Sequence, residues 1–149
     1  MATSDLFKTR LEELVSDSNV PKSKLPKAMG IDYRSFSGAL NYGILPRTRT
    51  LIKIADYFRV SLAFLLGKTD DDTFEPSALN ETFADRIVLL CDEKKITQYF
   101  LAMKCHFDKS YFSRWLGKKY LPELEFSEII ADYFGVSLDY LLGRTDYRI

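Results

Sequence analysis

The sequence predicts an all-α protein made of two tandem copies of one small domain, each copy holding five helices. Three observations carry that expectation. A long segment repeats without a gap, apolar residues recur at helical spacing in both copies, and no stretch alternates apolar with polar residues as a half-buried strand does. The repeat is plainest towards the end of each copy. Ile54-Ala-Asp-Tyr-Phe-Arg-Val-Ser-Leu-Ala-Phe-Leu-Leu-Gly-Lys-Thr-Asp70 recurs as Ile130-Ala-Asp-Tyr-Phe-Gly-Val-Ser-Leu-Asp-Tyr-Leu-Leu-Gly-Arg-Thr-Asp146, an offset of 76 residues. Upstream the same offset pairs Phe7 with Phe83, Arg10 with Arg86, Leu14 with Leu90 and Leu25 with Leu101. It also pairs Asp32, Phe36 and Ser37 with Asp108, Phe112 and Ser113, and Leu45-Pro46 with Leu121-Pro122. A gapless match of this length marks a duplicated domain. The first copy is expected over residues 5–70 and the second over 81–147. Residues 71–80 between them are acidic, contain a proline and read as a linker.

Each element has its local signal. Leu6, Phe7, Leu11, Leu14 and Val15 share one helical face, as do Phe83, Ile87, Leu90 and Cys91 in the second copy. Asp32 and Asp108 stand where an N-cap opens the helix carrying Phe36 and Leu40, or Phe112 and Leu116. Pro46 and Pro122 then close a loop. The next helix is expected to point Leu51, Ile54, Ala55 and Phe58 inward, and Ile129, Ile130 and Phe134 in the second copy. Ser61 and Ser137 cap a last helix, which Gly67 or Gly143 ends in the left-handed conformation.

Composition narrows the class. The chain is 46% hydrophobic and 28% charged, enough apolar material for a packed core. No apolar run approaches the roughly 20 residues that span a bilayer, and the first residues lack a secretory pattern. A soluble, cytoplasmic protein is expected. Cys91 and Cys105 fall in helical stretches and read as small core residues. His106 is the sole histidine, and no nucleophile or paired carboxylate accompanies it at a catalytic spacing. The acidic pairs Glu12-Glu13 and Asp92-Glu93 read as solvated helix faces. No enzyme, cofactor or metal site is therefore expected, and no pocket for a small molecule is evident. The formal net charge of +0 conceals an asymmetry. Residues 7–70 hold 11 Lys and Arg against 6 Asp and Glu, whereas 83–146 hold 9 against 10.

The repeated segment also carries a family likeness. Ile130 to Gly143 resembles the ending of the lambda-repressor-like, Cro/C1-type (XRE family) helix-turn-helix domain. Ile96-Thr97-Gln98 with Leu101-Ala102 resembles the opening of that domain's second helix, and Phe112-Ser113-Arg114-Trp115 resembles its recognition helix. The resemblance implies two tandem five-helix lambda-repressor-like helix-turn-helix domains and, as partner, double-stranded DNA. In such a domain the third helix lies in the major groove, and the second packs across it with its N-terminus towards a phosphate. A sequence-specific transcriptional regulator follows from the likeness.

In the second copy the recognition helix would run from Lys109 to Gly117. Phe112 and Leu116 would face inward, leaving Lys109, Ser110, Ser113 and Arg114 for DNA. Arg114 suits the two-pronged reading of a guanine, and Lys109 a point contact. By the same likeness Thr97 and Gln98 are phosphate or base-edge contacts, and Lys118 and Lys119 suit the backbone. The first copy departs from the pattern. Pro26 falls inside its second helix, where it costs about 3 kcal/mol anywhere but the first turn. Ser23 as a late N-cap would put it in that turn and shorten the helix, since Pro21 replaces the expected capping residue. Gly38-Ala39 replaces Arg114-Trp115. Lys22, Tyr33, Arg34, Ser37 and Asn41 remain as contacts, with Arg47 and Arg49 beside the backbone where the second copy has Glu123 and Glu125.

A rival reading is a protein-interaction module that kept the fold and lost DNA. The neutral total, Gly38, Pro26, Glu123, Glu125 and Glu128 favour it. Tyr42, Tyr99, Trp115 and Tyr120 are its interface candidates, although core packing is the plainer expectation for those rings. A pseudo-dimer within one chain, a homodimer, or an unidentified protein partner are all compatible with the duplication.

Overall fold

The computed structural model describes residues 2–117 and 120–149. Lys118 and Lys119, two of the expected phosphate contacts, lie outside the described residues. Two compact units divide the chain, Met1–Phe74 and Glu75–Ile149. The first holds α1 (Asp5–Ser18), α2 (Leu25–Met29), α3 (Tyr33–Tyr42), α4 (Thr48–Phe58) and α5 (Leu62–Leu65). The second holds α6 (Phe83–Lys94), α7 (Gln98–Lys104), α8 (Ser110–Leu116), α9 (Leu124–Phe134) and α10 (Leu138–Leu141). The described residues form no strand; an isolated antiparallel bridge joins Thr3 to Ile44.

The same local chemistry starts and stops the helices in both units. Asp32 accepts the Ser35 amide at 3.2 Å to open α3, and Asp108 accepts that of Ser110 at 2.9 Å ahead of α8. Ser61 and Ser137 cap α5 and α10, accepting the amides of Phe64 at 2.9 Å and Tyr140 at 3.0 Å. A reciprocal Thr82–Asp85 capping box opens α6. Left-handed residues fall at matched positions: Asn19 and Lys95, Gly30 and His106, Arg59 and Gly135, Gly67 and Gly143. Only Gly takes that conformation freely, so the turns recur in register even where the side chains differ. His106 thus serves as a helix-ending turn residue.

In the first unit α1 packs on α3 and α5, α2 on α3 and α4, and α4 on α5. Phe7, Leu11, Leu25, Leu51, Ile54, Leu62 and Leu65 are wholly buried between them. In the second, α6 packs on α8 and α10, and α9 on α10, around Ile87, Leu101, Ile130 and Leu141. Each such side chain contributes roughly 1.5–3 kcal/mol relative to exposure. Cys91 and Cys105 are free and buried in this core, and burial pushes both thiols up.

The repeated arginines tie down the end of each unit. Arg86 is fully buried, donating to the carbonyls of Tyr140 and Thr145 and to the Asp146 carboxylate, each at 3.0 Å. Its Nε lies 3.3 Å from Glu81 Oε1, an ion pair without hydrogen-bond geometry, and its guanidinium sits 4.0 Å over the Tyr140 ring. Arg10 makes the matching but looser set: Asp70 at 3.1 Å, the Thr69 carbonyl at 3.4 Å and the Phe64 ring at 3.8 Å. A buried Arg144–Asp139 pair has no counterpart in the first unit, where Lys68 and Ala63 stand.

Several expectations need correction. Leu6 is exposed, its Cβ lying where a side chain on Gly67 would have to go. Ile129 is 43% exposed because it stands one residue, about 100°, round the helix from buried Ile130. The inward position that Leu51 fills is taken in α9 by buried Ser127, whose hydroxyl donates to the Pro122 carbonyl at 3.4 Å. Phe58 and Leu116 are half-buried. Pro26 does occupy the first turn of a shortened α2, but Ser23 does not cap it. A 3-10 turn over Lys22–Lys24 closes there instead, the Lys24 amide donating to the Pro21 carbonyl at 2.9 Å. The helix expected from Lys109 starts at Ser110, one residue late. Part of the expected linker belongs to the second unit: the Ser77 amide donates to the Arg144 carbonyl, and the Ser77 hydroxyl and Ala78 amide to Asp146.

Candidate nucleic-acid interface

The inward face of α3 is Phe36, Ala39 and Leu40, so helical spacing turns Arg34 and Asn41 outward, while Tyr33 is exposed as the first residue of the helix. Ser37 is half-buried and accepts a hydrogen bond from Asn41 Nδ2 at 3.1 Å, so it presents itself together with Asn41. Lys22 is exposed on the 3-10 turn. Arg47 and Arg49 are exposed at the start of α4, where Arg47 holds the N-cap position without a side-chain cap bond.

The sequence reading missed three members of this set. Lys24 and Lys27 are also exposed, beside Lys22, before and on α2, as is Lys53 on α4, whose ammonium donates to the Gly30 carbonyl at 3.2 Å. Between residues 21 and 53 seven exposed Lys and Arg side chains meet one acid, Asp32. Hydrogen bonds from the Ser35 hydroxyl and amide hold the Asp32 carboxyl below its ordinary value, so the acid is committed to capping. For Lys24 and Lys27 the signal was available in the sequence as lysines two and three residues apart.

In the second unit α8 buries Phe112 and Trp115 and exposes Ser110, Ser113 and Arg114; Lys109 is exposed just before it. The Lys109 ammonium lies 5.8 Å from the Tyr99 ring, and Tyr99 is itself exposed on α7. Thr97 caps α7, its hydroxyl oxygen accepting the Phe100 amide at 3.0 Å, with Gln98 exposed next to it. The Thr97 oxygen is therefore already engaged, leaving its hydroxyl proton to donate. Arg114 makes no ion pair among the described residues, but exposed Glu123 and Glu125 follow it at the start of α9.

Three of the four rings expected in the core are on the surface: Tyr42 is 70% exposed, Tyr99 62% and Tyr120 55%. Each occupies a helix rim or loop whose inward positions other residues already fill. Trp115 alone is buried. No group of three His, Cys, Asp or Glu among the described residues is placed to hold a metal ion, and no helix there is long and apolar enough to cross a membrane. No family model, curated protein or solved structure matches the chain.

Proposed function

We propose that this chain is a cytoplasmic, DNA-binding transcriptional regulator of the Cro/C1 type, with one helix-turn-helix in each unit. The observation that carries the reading is the run of seven exposed cations against one capped acid over residues 21–53. Such a surface is suited to a row of phosphates, where each neutralised phosphate releases counterions. On this reading the first unit supplies most of the backbone affinity. The second supplies the long donors, Arg114 and Lys109, for base edges.

The test is a titration of duplex binding against salt, with a sequence-enrichment step. The slope of log affinity against log salt is expected to be steep, about −0.9 for each phosphate held. Arg47→Glu together with Arg49→Glu should flatten that slope on every sequence. Arg114→Ala should leave the slope within about one unit and relax the preference at one base pair, a loss of roughly 1–3 kcal/mol on the preferred site. Retention of no duplex at low salt would refute the proposal. It would favour the second reading, a protein-interaction module, for which exposed Tyr42, Tyr99 and Tyr120 are the supporting observation.

A further inference from the structure

We propose that the second unit binds a small nucleotide-like ligand, a flat ring with an N–H-donating edge and an anionic group, in a cavity between α8 and the start of α9. The sequence suggests no such pocket. The fold makes one of about 530 Å³, within the range of small-molecule sites. Its apolar walls are the rings of Tyr111, Trp115 and Phe126, with Tyr120 alongside. Tyr111 and Phe126 lie nearly parallel with centroids 5.9 Å apart, and Trp115 stands 5.9 Å from the one and 6.3 Å from the other. Such faces stack flat rings.

Among the described residues the charged groups lining it are Arg114 and Glu123. Both are exposed, and among the described residues neither is ion-paired. A cation and an anion brought to one cavity but not to each other suit a ligand with both complements. The guanidinium takes a phosphate in two-pronged fashion, and the carboxylate accepts from the N–H edge of a base.

The duplication supplies an independent argument. At the matched positions the first unit has Ser35, Gly38, Ala39, Ile44, Arg47 and Thr50. Of the lining residues, Leu121 alone has the same counterpart, Leu45. In the first unit Ile44 lies over Gly38, 3.4 Å from where a Cβ would stand, and its amide donates to the Gly38 carbonyl. The residues that line the cavity thus belong to one copy, a concerted change of ring and charge at matched positions. It stands on the second unit alone, and it shares Arg114 with the base-reading role proposed above, so ligand and duplex would compete for that side chain.

Trp115 is the sole tryptophan, so its emission reads the site in the full chain. Guanosine 5′-monophosphate, guanosine and inorganic phosphate are titrated in turn, up to about 5 mM, a weak-binding ceiling. The nucleotide is expected to change the emission saturably, guanosine to bind about ten-fold more weakly, and phosphate alone to do nothing. Arg114→Gln should erase the difference between nucleotide and nucleoside. Glu123→Gln should weaken both about ten-fold. Both substitutions are at exposed positions, and unchanged far-ultraviolet circular dichroism would certify the fold. Absence of a saturable change with the nucleotide, or binding that neither variant alters, would overturn the proposal, as would equal binding of phosphate alone.

Discussion

Replacing Arg86 and Arg10 in turn by methionine tests how differently two matched side chains act. The duplication puts both on the first helix of a unit, and each reaches the same three points: a carbonyl and a carboxylate near the end of its unit, and a ring. Arg86 is wholly buried, whereas the Arg10 side chain is 13% exposed and its partner Asp70 is fully exposed. Arg86→Met strands the Thr145 carbonyl, at about 1–3 kcal/mol when left unpaired, while the Tyr140 carbonyl keeps the Gly143 amide at 3.0 Å. With its ionic partners the loss comes to about 4 kcal/mol, in the range for breaking a buried charged cluster. For a unit of this size that lowers the melting temperature by roughly 15–30 °C. Arg10→Met leaves groups that water can reach, and should cost about 1 kcal/mol. Arg86→Lys should fall between them, since it keeps the charge without the planar fork. Urea unfolding read at Trp115 reports the second unit, and far-ultraviolet circular dichroism the whole chain. Equal losses for the two methionine variants would refute the claim that burial of the fork, and not its mere presence, sets the energy.

Two further predictions concern the same unit. The Ser77 hydroxyl, the Ala78 amide and Arg86 hold the Asp146 carboxyl below its usual value of 3.8, so its contribution is present above that pH and lost as the pH falls through the lower native value. The urea midpoint at Trp115 should therefore drop below about pH 4, and Asp146→Asn should flatten that part of the profile. Gly135 and Gly143 are both left-handed, but a Cβ on Gly135 meets nothing within 4 Å while one on Gly143 drives into the Glu81 carbonyl. Gly135→Ala should cost about 1 kcal/mol and Gly143→Ala at least about 3 kcal/mol, as thermal unfolding would show.

What the sequence made legible was local. Asp32, Ser61 and Ser137 cap helices through amides only three residues away, and Gly67 and Gly143 end them through a single dihedral angle. What stayed hidden depends on distant contacts. Leu6 and Ile129 flank buried residues in wide apolar stripes, and only the packed neighbours decide which edge of a stripe is covered. Ser23 lost its cap role to a turn closed by Pro21. The basic surface was partly read, through Lys22, Arg34, Arg47 and Arg49, while Lys24, Lys27 and Lys53 were passed over. The Arg86 cluster was in view as a recurring Arg and Asp at one offset, a pairing that invites a contact.

Divergence between the copies spares a recurring frame. The positions that hold the scaffold persist: the first-helix arginine with its terminal Thr-Asp, the serine cap of the last helix, and the left-handed turns. Changes of size and charge fall on α3 and α8 and on the first turns of α4 and α9, where Gly38, Ala39, Arg47 and Thr50 correspond to Arg114, Trp115, Glu123 and Phe126. A symmetric reader of a palindrome would require those surfaces to stay alike, because each half-site presents the same groups. Their opposite charge at Arg47 and Glu123 makes one unit better suited to phosphates and the other to a ligand with an N–H edge. On the DNA reading, the bound site should therefore have unlike halves. An enriched motif with two-fold symmetry would instead require two chains, each contributing the same unit.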